Sequence, residues 1–182
     1  MSRRMVTGFP ILVALAALSC LAKPERADGH SASDAYLTLT AEASPGPAEI
    51  TIHGQWDIAL RDLDFILKLD DDGDGRLTWG EVHLHQAAIA QYAYQHITLD
   101  GGAGNACRIE PGRQLIDAHA DGSYAALFFD ARCARPTRKI TLRYTLFFET
   151  DPSHRAILVM HRGAAVATAV LSPQNSAIDF PR

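Results

Sequence analysis

Cysteine and positive charge are both scarce in this chain. Its 182 residues include three cysteines, and 17 lysines and arginines stand against 21 aspartates and glutamates, which gives a net charge of −4. A chain with this acidic balance has no electrostatic footprint for nucleic acid or for an anionic lipid surface. The sequence therefore predicts neither kind of partner.

Common catalytic motifs are missing as well. The chain has no G-x-S-x-G, no H-E-x-x-H and no glycine-rich phosphate loop. Asp117 and His119 lie two residues apart on a predicted strand and would share one of its faces. Such spacing belongs more often to a surface pair than to a catalytic one, so the sequence does not predict an enzyme.

Long apolar runs are confined to the first 22 residues. Arg3 and Arg4 form a basic start, and Phe9–Ala22 is apolar apart from a proline and a serine. This run is too short to span a bilayer and has the pattern of an export signal. No later run reaches 18 apolar residues, so we expect no membrane span in the mature chain and a location in the periplasm or cell envelope.

The cleavage site of the signal has two readings. Cleavage after Ala22 leaves small residues at the positions that signal peptidases favour, and this is the preferred interpretation. The run Ala17–Cys20 also resembles a bacterial lipobox, which would place a lipid anchor on Cys20, although Leu18 fits that motif poorly.

Two cysteines remain after export, Cys107 and Cys133. An even pair in an oxidising compartment predicts a disulfide. The alternative is two separate buried thiols.

One acidic segment, residues 70–81, matches a calcium-loop pattern at every fixed position. Asp70, Asp72 and Asp74 occupy positions 1, 3 and 5, where alternate side chains turn toward one point. Gly75 at position 6 permits the sharp turn that a residue without Cβ adopts at low cost. The segment therefore predicts a Ca²⁺ site.

The remaining predicted ligands complete the same loop. Arg76 at position 7 would contribute its carbonyl oxygen, and Thr78 at position 9 would act through a water molecule. Glu81 at position 12 would close the site with both carboxylate oxygens. No second loop has this spacing, and we expect a lone, exported site to bind weakly, with a dissociation constant of about 10⁻⁴ to 10⁻³ M.

Helical periodicity flanks the loop on both sides. Apolar residues recur at three- and four-residue steps over 59–67, with Asp57 as a candidate N-cap, and again from Val82 to about His96. His83 and His85 in the second segment lie two residues apart on a helix and cannot share an ion. The sequence predicts a helix-loop-helix, a single EF-hand, over about 57–96.

The rest of the mature chain alternates in strand fashion. Short strands are predicted at the following positions: 35–40, 50–53, 113–120, 123–130, 140–146, 155–162 and 165–171. We predict an α+β fold, an antiparallel β-sandwich or partly open barrel with the helix-loop-helix inserted after the second strand. Its boundaries would be a signal peptide at 1–22, a loose segment at 23–34, a β-domain at 35–172 and a tail at 173–182.

Three sequence segments resemble those of a known family. The runs His30–Leu39, Gly54–Asp64 and Asp151–Arg155, with the acidic loop between the last two, resemble bacterial exported domains associated with the HupE/UreJ type of hydrogenase and urease accessory permease. The resemblance implies a partner or accessory role in the envelope, since those permeases are linked to nickel or cobalt uptake. The membrane spans of the permeases themselves are missing here.

These observations favour one function and leave two alternatives. The favoured function is a calcium-binding envelope protein in which Ca²⁺ has a structural or partner-presenting role. The alternatives are a metallochaperone that delivers nickel or cobalt to a permease, which needs clustered histidines, and a calcium-dependent enzyme, which needs a pocket of converging polar groups.

Overall fold

The structure is a computed structural model that describes residues 33–43, 49–102, 104–134 and 139–181. The predicted signal peptide, its cleavage site, the possible lipid anchor on Cys20 and most of the segment 23–34 lie outside the described residues. Within the described part, no helix is long and apolar enough to cross a membrane.

Strands dominate the described residues, with few helices. The strands are β1 (Asp34–Ala43), β2 (Glu49–Ala59), β3 (Ile97–Asp100), β4 (Arg108–His119), β5 (Gly122–Ala134), β6 (Lys139–Tyr144), β7 (Arg155–Arg162), β8 (Ala165–Leu171) and β9 (Ala177–Pro181). The helices of the described residues are α1 (Leu60–Leu67), α2 (Trp79–Leu84) and α3 (Gln86–Gln95), all between β2 and β3. The predicted position of the helical insert, after the second strand, is confirmed.

The strands form two sheets, which is compatible with the predicted β-sandwich. The larger sheet has the order β4-β5-β2-β1-β7-β8, and the smaller one β3-β6-β9. The prediction of a wholly antiparallel arrangement is wrong at one pair, because β1 and β7 run parallel. Both strands start at the same end of the sheet, where the amide of Arg155 donates to the carbonyl of Ser33 at 3.0 Å.

Alternation along the strands builds one core between the sheets. The inward side chains of β5 are all buried: Ala125, Leu127, Phe129, Ala131 and Cys133. Phe129 needs a glycine opposite it on β2, since a Cβ at Gly54 would lie 2.2 Å from the Phe129 ring. The predicted disulfide between Cys107 and Cys133 is confirmed and covers one end of this core.

The first helix begins later than predicted. Asp57 is not an N-cap: it lies inside β2, paired with Tyr36 and Ala126 on the neighbouring strands, and helix α1 starts at Leu60. Strand pairing satisfies the backbone hydrogen-bonding groups of Asp57, and the side-chain amide of Gln55 donates to its carboxylate at 3.0 Å. Strand pairing therefore overrides the local capping signal.

Other elements also differ from the prediction in their bounds. The segment after the loop is two helices, with a break at His85, and β3 follows at once. The β4–β5 turn lies at residues 120–121, one residue earlier than expected, because His119 pairs with Gly122. Residues 173–182 are not a tail, since Ala177–Pro181 forms β9 and buries Phe180 against the core.

Candidate metal centre

The acidic loop connects α1 to α2 and brings three carboxylates together. One side-chain oxygen from each of Asp70, Asp72 and Asp74 lies within 4.8 Å of the others. Two glycines shape the turn, with φ of 72° at Gly73 and 77° at Gly75, a region that residues with a Cβ adopt at a cost. The predicted aspartate triad is thus a feature of the folded loop.

Hydrogen bonds inside the loop hold the aspartates in this arrangement. The two carboxylate oxygens of Asp70 accept the amides of Gly73 and Gly75, each at 2.8 Å. Asp72 accepts the amide of Asp74 at 3.1 Å, and Asp74 that of Arg76 at 2.8 Å. Each acceptor is local, so the backbone of the loop itself orients the triad.

The residues on either side of the aspartate triad contact the hydrophobic core. Leu69, directly before the first aspartate, is fully buried, and the half-buried Leu77 packs against the same cluster. Asp64 accepts the amides of both Leu69 and Asp70, at 2.7 and 3.0 Å. Sequence reasoning missed this positioning role of Asp64, although an acidic residue in the last turn before the loop is a readable signal.

Glu81 is placed differently from the three aspartates. It is not a member of the group within 4.8 Å. One of its oxygens accepts the amide of Asp71 at 3.0 Å, and the other accepts the amide and hydroxyl of Thr78, both at 2.8 Å. Thr78 and Glu81 form a capping box at the start of α2. The hydrogen bonds from Thr78 lower the pKa of Glu81, so the side chain is a carboxylate at neutral pH.

The donor set of the triad is made of carboxylate oxygens alone. Hard oxygen donors suit Ca²⁺, Mg²⁺ or Mn²⁺ better than the softer ions that prefer imidazole or thiolate. The nearby histidines have other partners: His85 contacts Asp71 at 3.0 Å, and His83 stacks on Trp79 with ring centroids 4.7 Å apart. His83 and His85 thus contact different side chains.

An open cleft of about 550 Å³ lies beside the loop, against the β4–β5 hairpin. Asp70 and Gly75 line it on the loop side, and Ile116 and Tyr124 on the side of the sheet. Trp79 also borders the cleft and is 68% exposed. The triad therefore adjoins a surface with an exposed indole.

A partly buried chain of hydrogen bonds connects α1 to the sheets. Ser33 donates to Asp62 on α1 at 2.8 Å, which uses its only proton. Nδ1 of His154, 2.7 Å away, must then donate to Ser33, and Nε2 accepts the hydroxyl of Tyr144 at 2.8 Å. His154 is fully buried, and this burial lowers its pKa to about 4.

The side chains of Asp117 and His119, which the sequence predicts as a surface pair, contact different neighbours. The side chain of Asp117 is exposed and accepts the amide of Ala118 at 2.8 Å. The imidazole of His119 stacks on Tyr124 and lies 3.7 Å from the buried carboxylate of Asp57. Burial raises the pKa of Asp57, and the contact with His119 opposes that shift.

In comparisons with known proteins, no family model matches the chain, and no curated protein matches it significantly.

Proposed function

We propose that the loop of residues 70–81 binds one Ca²⁺ ion in the manner of a single EF-hand. The observation that carries the proposal is the aspartate triad, whose three oxygens converge within 4.8 Å between two helices. Three like charges at such separations repel one another, and a divalent cation replaces that repulsion by attraction. Oxygen-only donors in a glycine-bent loop fit Ca²⁺ well.

Glu81 completes the site in this proposal by exchanging partners. Its carboxylate leaves the amide of Asp71 and turns toward the ion, while Thr78 continues to cap α2 through its hydroxyl. The carbonyl of Arg76 and a water held by Thr78 supply the remaining ligands. Glu81 therefore couples ion binding to the first turn of α2.

Calcium has a structural and partner-presenting role in this proposal. Asp64 and Leu69 hold the start of the loop on α1 and on the core. A bound ion would therefore determine the orientation of α2 relative to α1. Helix α2 begins with Trp79, the exposed indole beside the cleft. Ca²⁺ would hold this surface in one arrangement for a partner.

The partner we propose belongs to the cell envelope. The disulfide suggests a non-cytoplasmic environment. The resemblance to domains associated with HupE/UreJ-type permeases supports an accessory role beside such a permease, in the periplasm or at the membrane surface. Nothing among the described histidines favours nickel or cobalt delivery, and no arrangement of polar groups in the described part of the chain favours a particular reaction.

Saturating calcium is expected to stabilise the protein. With a dissociation constant of about 10⁻⁴ to 10⁻³ M, 10 mM Ca²⁺ adds about 1.4 to 2.7 kcal/mol to the free energy of unfolding by mass action. For a domain of this size that raises the melting temperature by about 3 to 10 °C. Thermal melts in CaCl₂ and in EGTA measure the shift. Equal melting temperatures in the two conditions would remove the calcium proposal.

Replacing Glu81 by glutamine separates its two roles. Glutamine keeps the capping box through its single carbonyl oxygen. It loses the charged, bidentate ligand and the acceptor for the exposed amide of Asp71. Glu81→Gln should therefore melt close to the wild type in EGTA and lose most of the calcium shift. Isothermal titration calorimetry should show an affinity at least about tenfold weaker, since loss of a residue that merely supports the ligands of a metal already costs about 10- to 100-fold in affinity.

Adjacent aspartates offer a matched control for this experiment. Asp70→Asn removes a charge at the first ligand position, whereas Asp71→Asn removes the same charge one residue away, where the side chain contacts His85. We expect a large loss of calcium affinity in the first variant and a small one in the second. Equal losses would mean that only the general negative charge of the loop attracts calcium.

A further inference from the structure

One edge of the larger sheet is formed by β8. The side-chain amide of Asn175 donates to the carbonyl of Val170 near one end of this strand, at 3.3 Å, but the strand itself lacks the usual protection. Among the described residues, β8 pairs with β7 alone, in a register without irregularity. It contains no charged residue and no proline. Exposed edge strands normally carry such features because unpaired amides and carbonyls recruit other strands.

The opposite edge, β4, shows the protection that β8 lacks. Its pairing with β5 is interrupted between Pro111 and Gln114. It also carries four charged side chains, Arg108, Glu110, Arg113 and Asp117. The two edges of one sheet are therefore built differently, and β8 is the one open to a further strand.

The outer face of β8 is apolar as well. Val166 and Val170 are 59% and 54% exposed. They pair with His161 and Ile157 on β7, and Thr168 between them pairs with Val159. A solvated sheet face normally alternates to polar residues at such positions. Burial of this face against a partner would remove apolar surface from water.

The sequence of β8 is symmetric about its centre. Ala-Val-Ala-Thr-Ala-Val-Leu reads alike in both directions from Thr168, except for its end residues. In an antiparallel pair of two copies with the two-fold axis at Thr168, each Val166 faces Val170 of the other copy, and Ala167 faces Ala169. Thr168 faces its own counterpart. Such an isologous contact places β-branched residues and threonines opposite each other, pairings that stabilise sheets, and no like charges meet.

We propose that β8 is a self-association edge, on which a second copy of this chain adds its own β8 in antiparallel orientation. The two six-stranded sheets then form one continuous sheet. A second copy supplies a neutral strand of equal length with a matching residue at each position, whereas the charged and interrupted β4 does not. A seven-residue strand covers less than the ~800 Å² per partner of a standard interface, so we expect a weak, reversible dimer.

Paired charges on the outer face test this arrangement. Val166→Lys with Val170→Lys places lysine opposite lysine at both ends of the contact, while Val166→Lys with Val170→Glu places lysine opposite glutamate. Both variants change the same two exposed positions, so the single chain bears a similar burden in each. Sedimentation velocity from about 1 to 300 μM should show a dimer in the wild type, at least tenfold weaker association in the first variant and recovery in the second. A monomeric wild type over this range, or equal behaviour of the two variants, would overturn the proposal.

A cysteine at the two-fold axis tests the register. In a chain with Cys20→Ser, Thr168→Cys places two thiols directly opposite each other, at a Cα separation of about 4.5 to 5.5 Å, within the range of a disulfide. Ala167→Cys is the control, because its counterpart is displaced by two residues. We expect oxidation to link Thr168→Cys into dimers at least fivefold faster than Ala167→Cys. Equal rates of linking in the two variants would refute the pairing. Protection of the thiol of monomeric Thr168→Cys from maleimide would also refute it, because the same chain would then cover the edge.

Discussion

Replacing Cys107 and Cys133 together by alanine is expected to lower the free energy of unfolding by about 3.5 kcal/mol. The disulfide joins residues 26 apart, and a cross-link over such a distance restricts the unfolded chain by about that amount. For this domain the melting temperature should fall by about 7 to 14 °C. Alanine is the better replacement, since Cys133 is fully buried and a serine hydroxyl there would need a partner.

Reduction provides the control for the disulfide experiment. Dithiothreitol should bring the wild type close to the double variant in a urea titration, and it should leave the variant unchanged. The fluorescence of the buried Trp56 can report the transition. A difference below 1 kcal/mol between the oxidised wild type and the variant would mean that the core, and not the cross-link, holds these strands together.

The same disulfide matters for the proposed metal centre because of its place in the sheet. Cys133 lies on β5, which pairs along its length with β2, and β2 leads directly into α1 and the acidic loop. Calcium contributes less to stability than the disulfide in our expectations. In the reduced protein the free energy of unfolding is smaller, so the same stabilisation by calcium should change the folded fraction more than it does in the oxidised protein.

Local patterns predicted those parts of the fold in which one signal dominates. Strands β7 and β8 match their predicted bounds because both alternate without interruption around Gly163. The aspartate triad was predictable because ligand spacing and glycine position are properties of the loop alone. The disulfide followed from the cysteine count and the export signal.

Other elements depend on partners that are distant in the sequence. Strands β3 and β9 have four and five residues and exist as the two neighbours of β6. Asp57 has the type of an N-cap, but two paired strands hold it in β2. Glu81 matches a ligand position, and the structure shows it in a capping box, which the same residue type also serves. These outcomes are decided by tertiary pairing, which a single sequence does not display.

His154 is the clearest residue of this second kind. In the sequence it is one of 8 histidines and follows an unremarkable turn. In the structure it is fully buried and bridges Tyr144 of β6 to Ser33, which in turn binds Asp62 of α1. Burial raises the pKa of Tyr144 well above its ordinary value, so its hydroxyl remains a donor to the imidazole. The chain links the helix before the acidic loop to the smaller sheet.

Acidification is expected to destabilise the protein through this residue. Burial lowers the pKa of His154 to about 4 in the folded protein, against 6.5 for an exposed imidazole. Between these values the unfolded chain binds a proton that the folded protein does not, so stability falls as the pH drops below about 6.5. The loss amounts to about 2 kcal/mol at pH 5 and about 3 kcal/mol once the pH is below 4. Above pH 7 the imidazole is neutral in both states and the effect vanishes.

A variant without the imidazole isolates this contribution from that of the carboxylates. His154→Gln should be less stable than the wild type at pH 7.5, because either the buried Tyr144 or the half-buried Ser33 loses its bond to the imidazole. Between pH 7.5 and pH 5, however, the variant should lose about 2 kcal/mol less stability than the wild type, since the other titrating groups are common to both proteins. Urea titrations at the two pH values, with calcium held constant, give the difference directly. Parallel losses in the two proteins would show that His154 titrates normally, and the hydrogen-bonded chain from Tyr144 to Asp62 would then have to contain a protonated imidazole.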